Sequence, residues 1–290
     1  MLVRRLIINA DDFGLTRGVN RAIAECHAAG AVTSATLMAN SQAFDDAVAI
    51  ARAHPALRIG CHTMLVDGAP LTPPQDVASL CVRDTGVFRE GIGGFAQAAL
   101  SNRLHAEEIT AEAAAQMRKI QAAGIELTHF DTHKHTHMFP RVLRPLLRAA
   151  RECGVRAVRN PFAPIKALAF ATFLKRPRLW KRYTEVRALR SFAGAFQREV
   201  EDAGLRTTQG TFGIIATGAL DQRLFDAIIG SIPEGTWELV CHPGYNDPDL
   251  DAVATRLRAS RVEEKKVLTS PESRETLRRN QIQLISFADI

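Results

Sequence analysis

Cysteine is sparse and scattered in this 290-residue chain, with five residues at positions 26, 61, 81, 153 and 241 and no CxxC pair. That excludes a disulfide framework or a zinc ribbon and matches a reducing cytoplasm. No stretch reaches the ~18 consecutive apolar residues of a membrane-spanning helix. The opening MLVRRLIINADDFG starts basic, but Asp11 and Asp12 interrupt its apolar run too early for a secretion signal. Phosphate-cradling GxxxxGKS/T and GxGxxG loops are absent, and so is a GxSxG elbow. Nucleotide hydrolysis and serine hydrolysis therefore fall away. No repeat, low-complexity tract or linker divides the chain, which reads as a single domain over residues 1–290. A hydrophobic content of 46% with 23% charged residues is ordinary for a globular protein. The 37 basic and 31 acidic residues leave a net charge of +6, by itself a weak sign of an anionic partner.

What is present is an alternation of short apolar runs and helical patterns. Strands are expected at 3–9, 32–38, 57–62, 125–131, 155–159, 211–215, 237–241 and 281–286. Helices are expected at 17–29, 44–53, 106–123, 141–153, 221–229 and 271–279, several of them stopped by glycine (Gly30, Gly124, Gly154). Strands alternating with helices predict an α/β chain with a parallel sheet and right-handed crossovers. At least seven such units favour a (β/α) barrel, closed or incomplete, over an open doubly wound sheet, since a barrel needs ~250 residues. The surplus falls in a long loop at 66–104 and a basic, apolar helical insertion at about 164–205.

In a barrel the chemistry sits at the C-terminal strand ends. Reading those ends in order gives Asp11-Asp12, His62, the run HFDTHKHTH from His129 to His137, Arg159, and Cys241-His242-Pro243. An Asp-Asp pair alone is as often a solvated turn or a helix cap, and a lone His62 or His242 is more often structural than a ligand. The central run differs, because four of the nine histidines fall within nine residues. Its odd positions share one face of an extended chain, which changes from apolar at Ile125 and Leu127 to polar at His129, Asp131, His133, His135 and His137. Same-face neighbours on a strand are ~6.6 Å apart, so the three later histidines cannot reach one ion unless the backbone turns. The cluster predicts a divalent metal site. Imidazole with carboxylate suits Zn, Ni, Co or Fe, while more carboxylate or water would suit Mg or Mn. Three protein ligands with open positions is the catalytic pattern. What remains is metal-assisted hydrolysis.

These residues carry a resemblance. NADDFGLTRGVNRAI, GAVTSATLMAN, IGCH with the later GAPL, THFDTHKHTHMFP, RTTQG and ELVCHPG, spread from residue 9 to 244, resemble the YdjC-like carbohydrate deacetylases, relatives of chitooligosaccharide deacetylase. The resemblance implies Asp12, His62 and His133 as metal ligands, with Zn or Mg the first expectation for the ion. It implies Asp11 as general base and His242 as the acid that protonates the leaving amine. Arg159, in RNPF, looks like the arginine that holds the base carboxylate in related polysaccharide deacetylases. Where the family commonly has Leu-His-Leu, this chain has Cys61-His62-Thr63, a change of pocket wall that keeps the ligand. The DTHKHTHMFP run and the basic insertion are similar to the hopanoid-biosynthesis-associated subgroup, HpnK. That subgroup's implied substrate is an N-acetylglucosaminyl group on a bacteriohopane polyol lipid.

The segment from Lys166 to Arg190 carries eight bases against the single acid Glu185. Phe170, Phe173 and Trp180 among Lys175, Arg176, Lys181 and Arg182 suit docking on an anionic membrane, since aromatics prefer the interface and each base contributes about 1 kcal/mol there. The plainer reading is a helical hairpin whose bases face water. The expected partner is thus an N-acetylated amino sugar on a hopanoid lipid, reached from the cytoplasm at the inner membrane face. No nucleic acid is expected, and a homo-oligomer is compatible with the sequence. The competing readings are a soluble chitooligosaccharide deacetylase, an amidohydrolase-type hydrolase using His133 and His135, and a non-catalytic carbohydrate- or lipid-binding protein.

Overall fold

The structure is a computed structural model describing residues 3–164 and 190–290. The expected docking residues Phe170, Phe173, Lys175, Arg176, Trp180, Lys181 and Arg182 lie outside the described residues. Eight strands form one sheet: β1 Arg4–Phe13, β2 Ser34–Leu37, β3 Arg58–Thr63, β4 Leu127–Thr132, β5 Ala157–Val158, β6 Thr211–Phe212, β7 Gly235–Cys241 and β8 Ile282–Leu284. Their order is β5-β4-β3-β2-β1-β7-β6, with β8 added on β1, and every pairing is parallel. β1 is the hub because it is buried continuously from Leu6 to Phe13, as a strand covered on both faces must be. It runs in register with β7 from Arg4 opposite Gly235 to Ala10 opposite Cys241.

The sheet curls until its two edges are bridged. Val158 N–H donates to the Arg206 carbonyl and Arg206 N–H to the Arg156 carbonyl, both at 2.9 Å. The same segment then continues into β6 against β7. The result is the expected (β/α) barrel, incomplete because β5 and β6 pair over only two residues each. β6 stops short of the expected 215 because Gly213 turns the chain at φ 93°, where an added Cβ would stand 2.3 Å from the Val240 carbonyl.

Ten helices surround the sheet among the described residues. They are α1 Arg17–Ala28, α2 Phe44–Ala53, α3 Gly91–Leu100, α4 Ala106–Ala122, α5 Pro140–Glu152, α6 Ala193–Asp202, α7 Gln222–Ser231, α8 Pro248–Asp251, α9 Ala259–Thr269 and α10 Pro271–Arg279. Their starts follow ordinary capping chemistry: Thr16 accepts from Val19 N–H, Asp221 from Leu224 N–H, and Ser270 precedes Pro271 at the first helical position. Three helices were not anticipated: α3 lies within the 66–104 loop, the short α8 follows β7, and α9 packs on α1 beside the strand ends. α6 falls in the expected helical insertion, with Phe196 and Val200 buried. No helix among the described residues is long and apolar enough to cross a membrane.

Candidate active site

A regular strand points consecutive side chains to opposite faces, so Asp11 and Asp12 need a break to face one site together. β1 supplies it. Its register against β2 slips between Ala10 and Phe13, and Asp12 takes a left-handed φ of 64°, a conformation aspartate tolerates better than most residues. The turn that follows is pinned by Asn20, whose Oδ1 accepts from Gly14 N–H at 2.6 Å and whose amide donates to Asp46. A second break follows β4. Lys134 and His135 are both left-handed, at φ 55° and 53°, so the chain turns immediately after His133. Of the three later histidines, only His133 meets the other two expected ligands.

Three donor atoms converge there. His62 Nε2 stands 3.5 Å from Asp12 Oδ1, His133 Nδ1 stands 3.6 Å from the same oxygen, and the two imidazole nitrogens are 3.3 Å apart. Ligands held at about 2.0–2.1 Å around a tetrahedral ion stand about 3.4 Å from one another, so the triangle has the dimensions of a metal's donor set. The tautomer of His62 is set by its other nitrogen, because Nδ1 donates to Asp131 Oδ1 at 2.6 Å. That leaves the Nε2 lone pair facing the triangle. Asp12 is held for single-oxygen binding, since Arg261 Nη2 donates to its Oδ2 at 2.5 Å. Burial works against charge on both histidines, yet the surrounding carboxylates prevail. His62 is raised, chiefly by Asp131, and His133 is raised to about 9 by Asp12 and Asp67. The pocket draws positive charge.

Arg159, fully buried, grips Asp11 with both ends of its guanidinium: Nη1 donates to Oδ2 at 2.8 Å and Nη2 to Oδ1 at 2.6 Å. Its Nε donates to Glu238 Oε1 at 2.7 Å and its Nη1 also reaches Asp131 Oδ2 at 2.5 Å. Burial alone would raise the Asp11 carboxyl, but Arg159 overrides it and holds Asp11 well below the usual carboxylate range. His242 Nε2 stands 3.8 Å from Asp11 Oδ2. Burial pushes this imidazole down to about 4, so it is neutral near pH 7. Its backbone N–H donates to Glu264 Oε2 at 2.6 Å, which fixes the loop after β7.

The arrangement brings together Asp11, Asp12, His62, His133, Arg159 and His242. His137 stays apart: it is fully buried, its Nδ1 lies 2.7 Å from Thr132 Oγ1, and its ring packs on Phe196. Asp131, Glu238, Arg261 and Glu264 were not anticipated. Glu238 had a signal, as a charge inside the apolar run WELVC, and Asp131 lay on the polar face of the histidine run. Arg261 and Glu264 had none, because no apolar stripe in ASRVEEKKVLT marks a buried face.

The chain matches the family model described as YdjC-like protein over residues 5–279. It is 34% identical over 289 residues to a carbohydrate deacetylase of Brevibacillus brevis, covering 99% of each chain. It is 27% identical over 286 residues to a carbohydrate deacetylase of Thermoanaerobacter pseudethanolicus, again covering 99% of each. Among solved structures it is similar to a protein of Enterococcus faecalis V583 provisionally assigned as a cellobiose-phosphate cleavage protein, with 26% identity and a TM-score of 0.80. That match covers 99% of this chain and 98% of the other.

Proposed function

The chain belongs to the YdjC-like protein family, and from that premise we propose that it is a carbohydrate deacetylase, a single-domain hydrolase that releases acetate from an N-acetylated amino sugar. The observation that carries this reading is the donor triangle of Asp12, His62 and His133 standing beside an ionised Asp11 and a neutral His242. These three residues would hold a divalent ion, Zn being the best match to two imidazoles and one carboxylate oxygen and Mg the alternative. Such an ion, when bound, polarises the acetyl carbonyl and acidifies the attacking water.

The chain's own residues handle the proton. Asp11, kept anionic by Arg159, takes the proton of the attacking water. His242, 3.8 Å from Asp11 Oδ2, hands a proton to the departing nitrogen, which is a poor leaving group without it. Because the resting His242 is neutral, the proton it donates is the one Asp11 removes, and both groups return to their starting states. The products are acetate and the free amine.

At finer grain we assign the substrate as an N-acetylglucosaminyl group on a hopanoid lipid. Support comes from Phe170, Phe173, Lys175, Arg176, Trp180, Lys181 and Arg182, whose mixture of bases and aromatics suits an anionic membrane surface. Five free, buried cysteines fit a reducing cytoplasm. The test is acetate release from diacetylchitobiose and from the acetylglucosaminyl lipid in vesicles, with metal measured on each variant. Asp11→Asn should retain metal and lose about 10²- to 10⁴-fold in turnover, while Asp12→Ala, His62→Ala and His133→Ala should each lose metal. Wild-type turnover in Asp11→Asn, or full metal in all three alanine variants, overturns the assignment. Release from chitobiose alone transfers the reading to a soluble oligosaccharide.

A further inference from the structure

His133 has a second nitrogen, and what it faces sits in a different part of the chain. Its Nε2 lies 3.4 Å from Asp67 Oδ2, in the loop between β3 and α3. That same oxygen is 2.5 Å from Lys134 Nζ. Asp67 is the anchor of its loop: its N–H donates to the Arg89 carbonyl and its Oδ1 accepts from Gly91 N–H at 2.8 Å. Both partners of the pair adopt left-handed backbone, Asp67 at φ 55° and Lys134 at φ 55°. Such conformations in non-glycine residues are disfavoured and persist only where the surroundings impose them. Here the left-handed Lys134 carries its ammonium onto the carboxylate that faces the outer nitrogen of the neighbouring histidine.

The chemistry of this triad is a balance. A carboxylate on the outer nitrogen of a metal-binding histidine fixes the tautomer and makes the inner nitrogen a stronger donor. Asp131 does this for His62 through Oδ1, which no cation shares, because Arg159 takes its other oxygen. Asp67 does it for His133 while sharing its charge with Lys134. We propose that Asp67 is a positioning residue that orients His133 and strengthens it as a metal ligand, and that Lys134 opposes it by drawing on the same carboxylate oxygen. The proposal rests on the reading of Asp12, His62 and His133 as ligands. It assigns opposite effects to two adjacent, partly exposed residues, which a merely structural salt bridge would not produce.

The experiment is the dissociation constant for Zn, measured by chelator competition on the metal-free protein. Asp67→Asn preserves an oxygen for Gly91 N–H but removes the charge, and should weaken Zn binding about 10- to 100-fold. Lys134→Met should tighten it. In the double variant the tightening should vanish, because Lys134 would act through Asp67. The melting temperature of the metal-free protein serves as the control for folding, and both side chains are exposed enough (30% and 39%) for it to stay near wild type. Unchanged affinity in Asp67→Asn, equal weakening in both single variants, or tightening by Lys134→Met that persists without the Asp67 charge would each overturn the proposal. Asp12→Ala keeps the two levels apart: metal retained there defeats the ligand assignment itself, whereas metal lost there with Asp67→Asn unchanged defeats only the role of Asp67.

Discussion

Glu238 lies in the middle of β7 with no solvent exposure, and its hydrogen bonds count its proton. Thr211 Oγ1 is 2.6 Å from the Asn160 carbonyl and 2.9 Å from Glu238 Oε2. One hydroxyl has one hydrogen, so both contacts are satisfied only when the threonine donates to Asn160 and Glu238 Oε2 itself carries a proton. Burial pushes this carboxyl up to about 7 against the attraction of Arg159, with Asp11 and Asp131 adding to the rise. A group raised from 4.5 to about 7 favours the folded state fully below pH 4.5 and loses that contribution as pH rises through 7. Between pH 5 and 8.5 the loss is about 2.5 kcal/mol, from 1.36 kcal/mol per pKa unit. At about 2 cal/mol/K of unfolding entropy per residue over 290 residues, that is about 4 °C in melting temperature. Glu238→Gln keeps the shape, still accepts from Arg159 Nε, and donates its amide to Thr211 without titrating. The metal-free variant should therefore gain about 4 °C on wild type between pH 5 and pH 8.5, with other groups, Glu264 included, cancelling in the difference. Parallel melting curves at the two pH values would mean that Glu238 is ionised throughout, and the proton count would be wrong.

Two further outcomes follow from the packing. His137→Ala should retain metal at wild-type stoichiometry while losing stability, because this buried ring binds Thr132 and Phe196 and contributes no atom to the triangle; elemental analysis with a thermal melt checks both. Gly60→Ala should lower the melting temperature by about 2–5 °C, the effect of about 1–3 kcal/mol of overpacking. A Cβ there would stand 2.5 Å from the His129 ring, which is itself stacked on Phe287 at 3.8 Å and cannot swing away.

The barrel was legible where each strand is long and its flanking helix has an uninterrupted apolar face. β3 and β7, with α1, α4 and α5, fall within two residues of their expected bounds, while β1 runs four residues past its expected end at Asn9. The strand-end residues Asp11, Asp12, His62, Arg159 and His242 were legible for the same reason. α9 was hidden because its inward face is not apolar: its buried positions are Arg261, Glu264, Val267 and Leu268. Half of the stripe that would have announced the helix consists of charges spent on Asp12 and on the His242 backbone. Amphipathic periodicity detects burial only when burial is apolar. The breaks at Asp12 and at Lys134-His135 were hidden for a different reason, since their left-handed backbone is imposed by neighbours distant in sequence. The spacing argument showed that the histidines share one ion only if the chain turns, but could not say that it turns after the first of them.

The charges inside the barrel also explain why the donor triangle stands where it does. Four carboxylates, Asp11, Asp12, Asp131 and Glu238, face two guanidiniums, Arg159 and Arg261. With Glu238 protonated, three negative charges remain against two positive ones. Arg159 occupies both oxygens of Asp11, Arg261 takes Asp12 Oδ2, and Asp131 divides its oxygens between His62 and Arg159. Of the oxygens that no guanidinium holds, Asp131 Oδ1 takes the His62 Nδ1–H, and Asp12 Oδ1 faces the corner shared by His62 and His133. An uncompensated buried charge costs several kcal/mol, so it must recruit a counter-charge. With no metal bound, a proton on His133, held up to about 9, supplies it. A divalent ion and that proton compete for the same place, and this ties the charge of the barrel interior to the reactive end of the site.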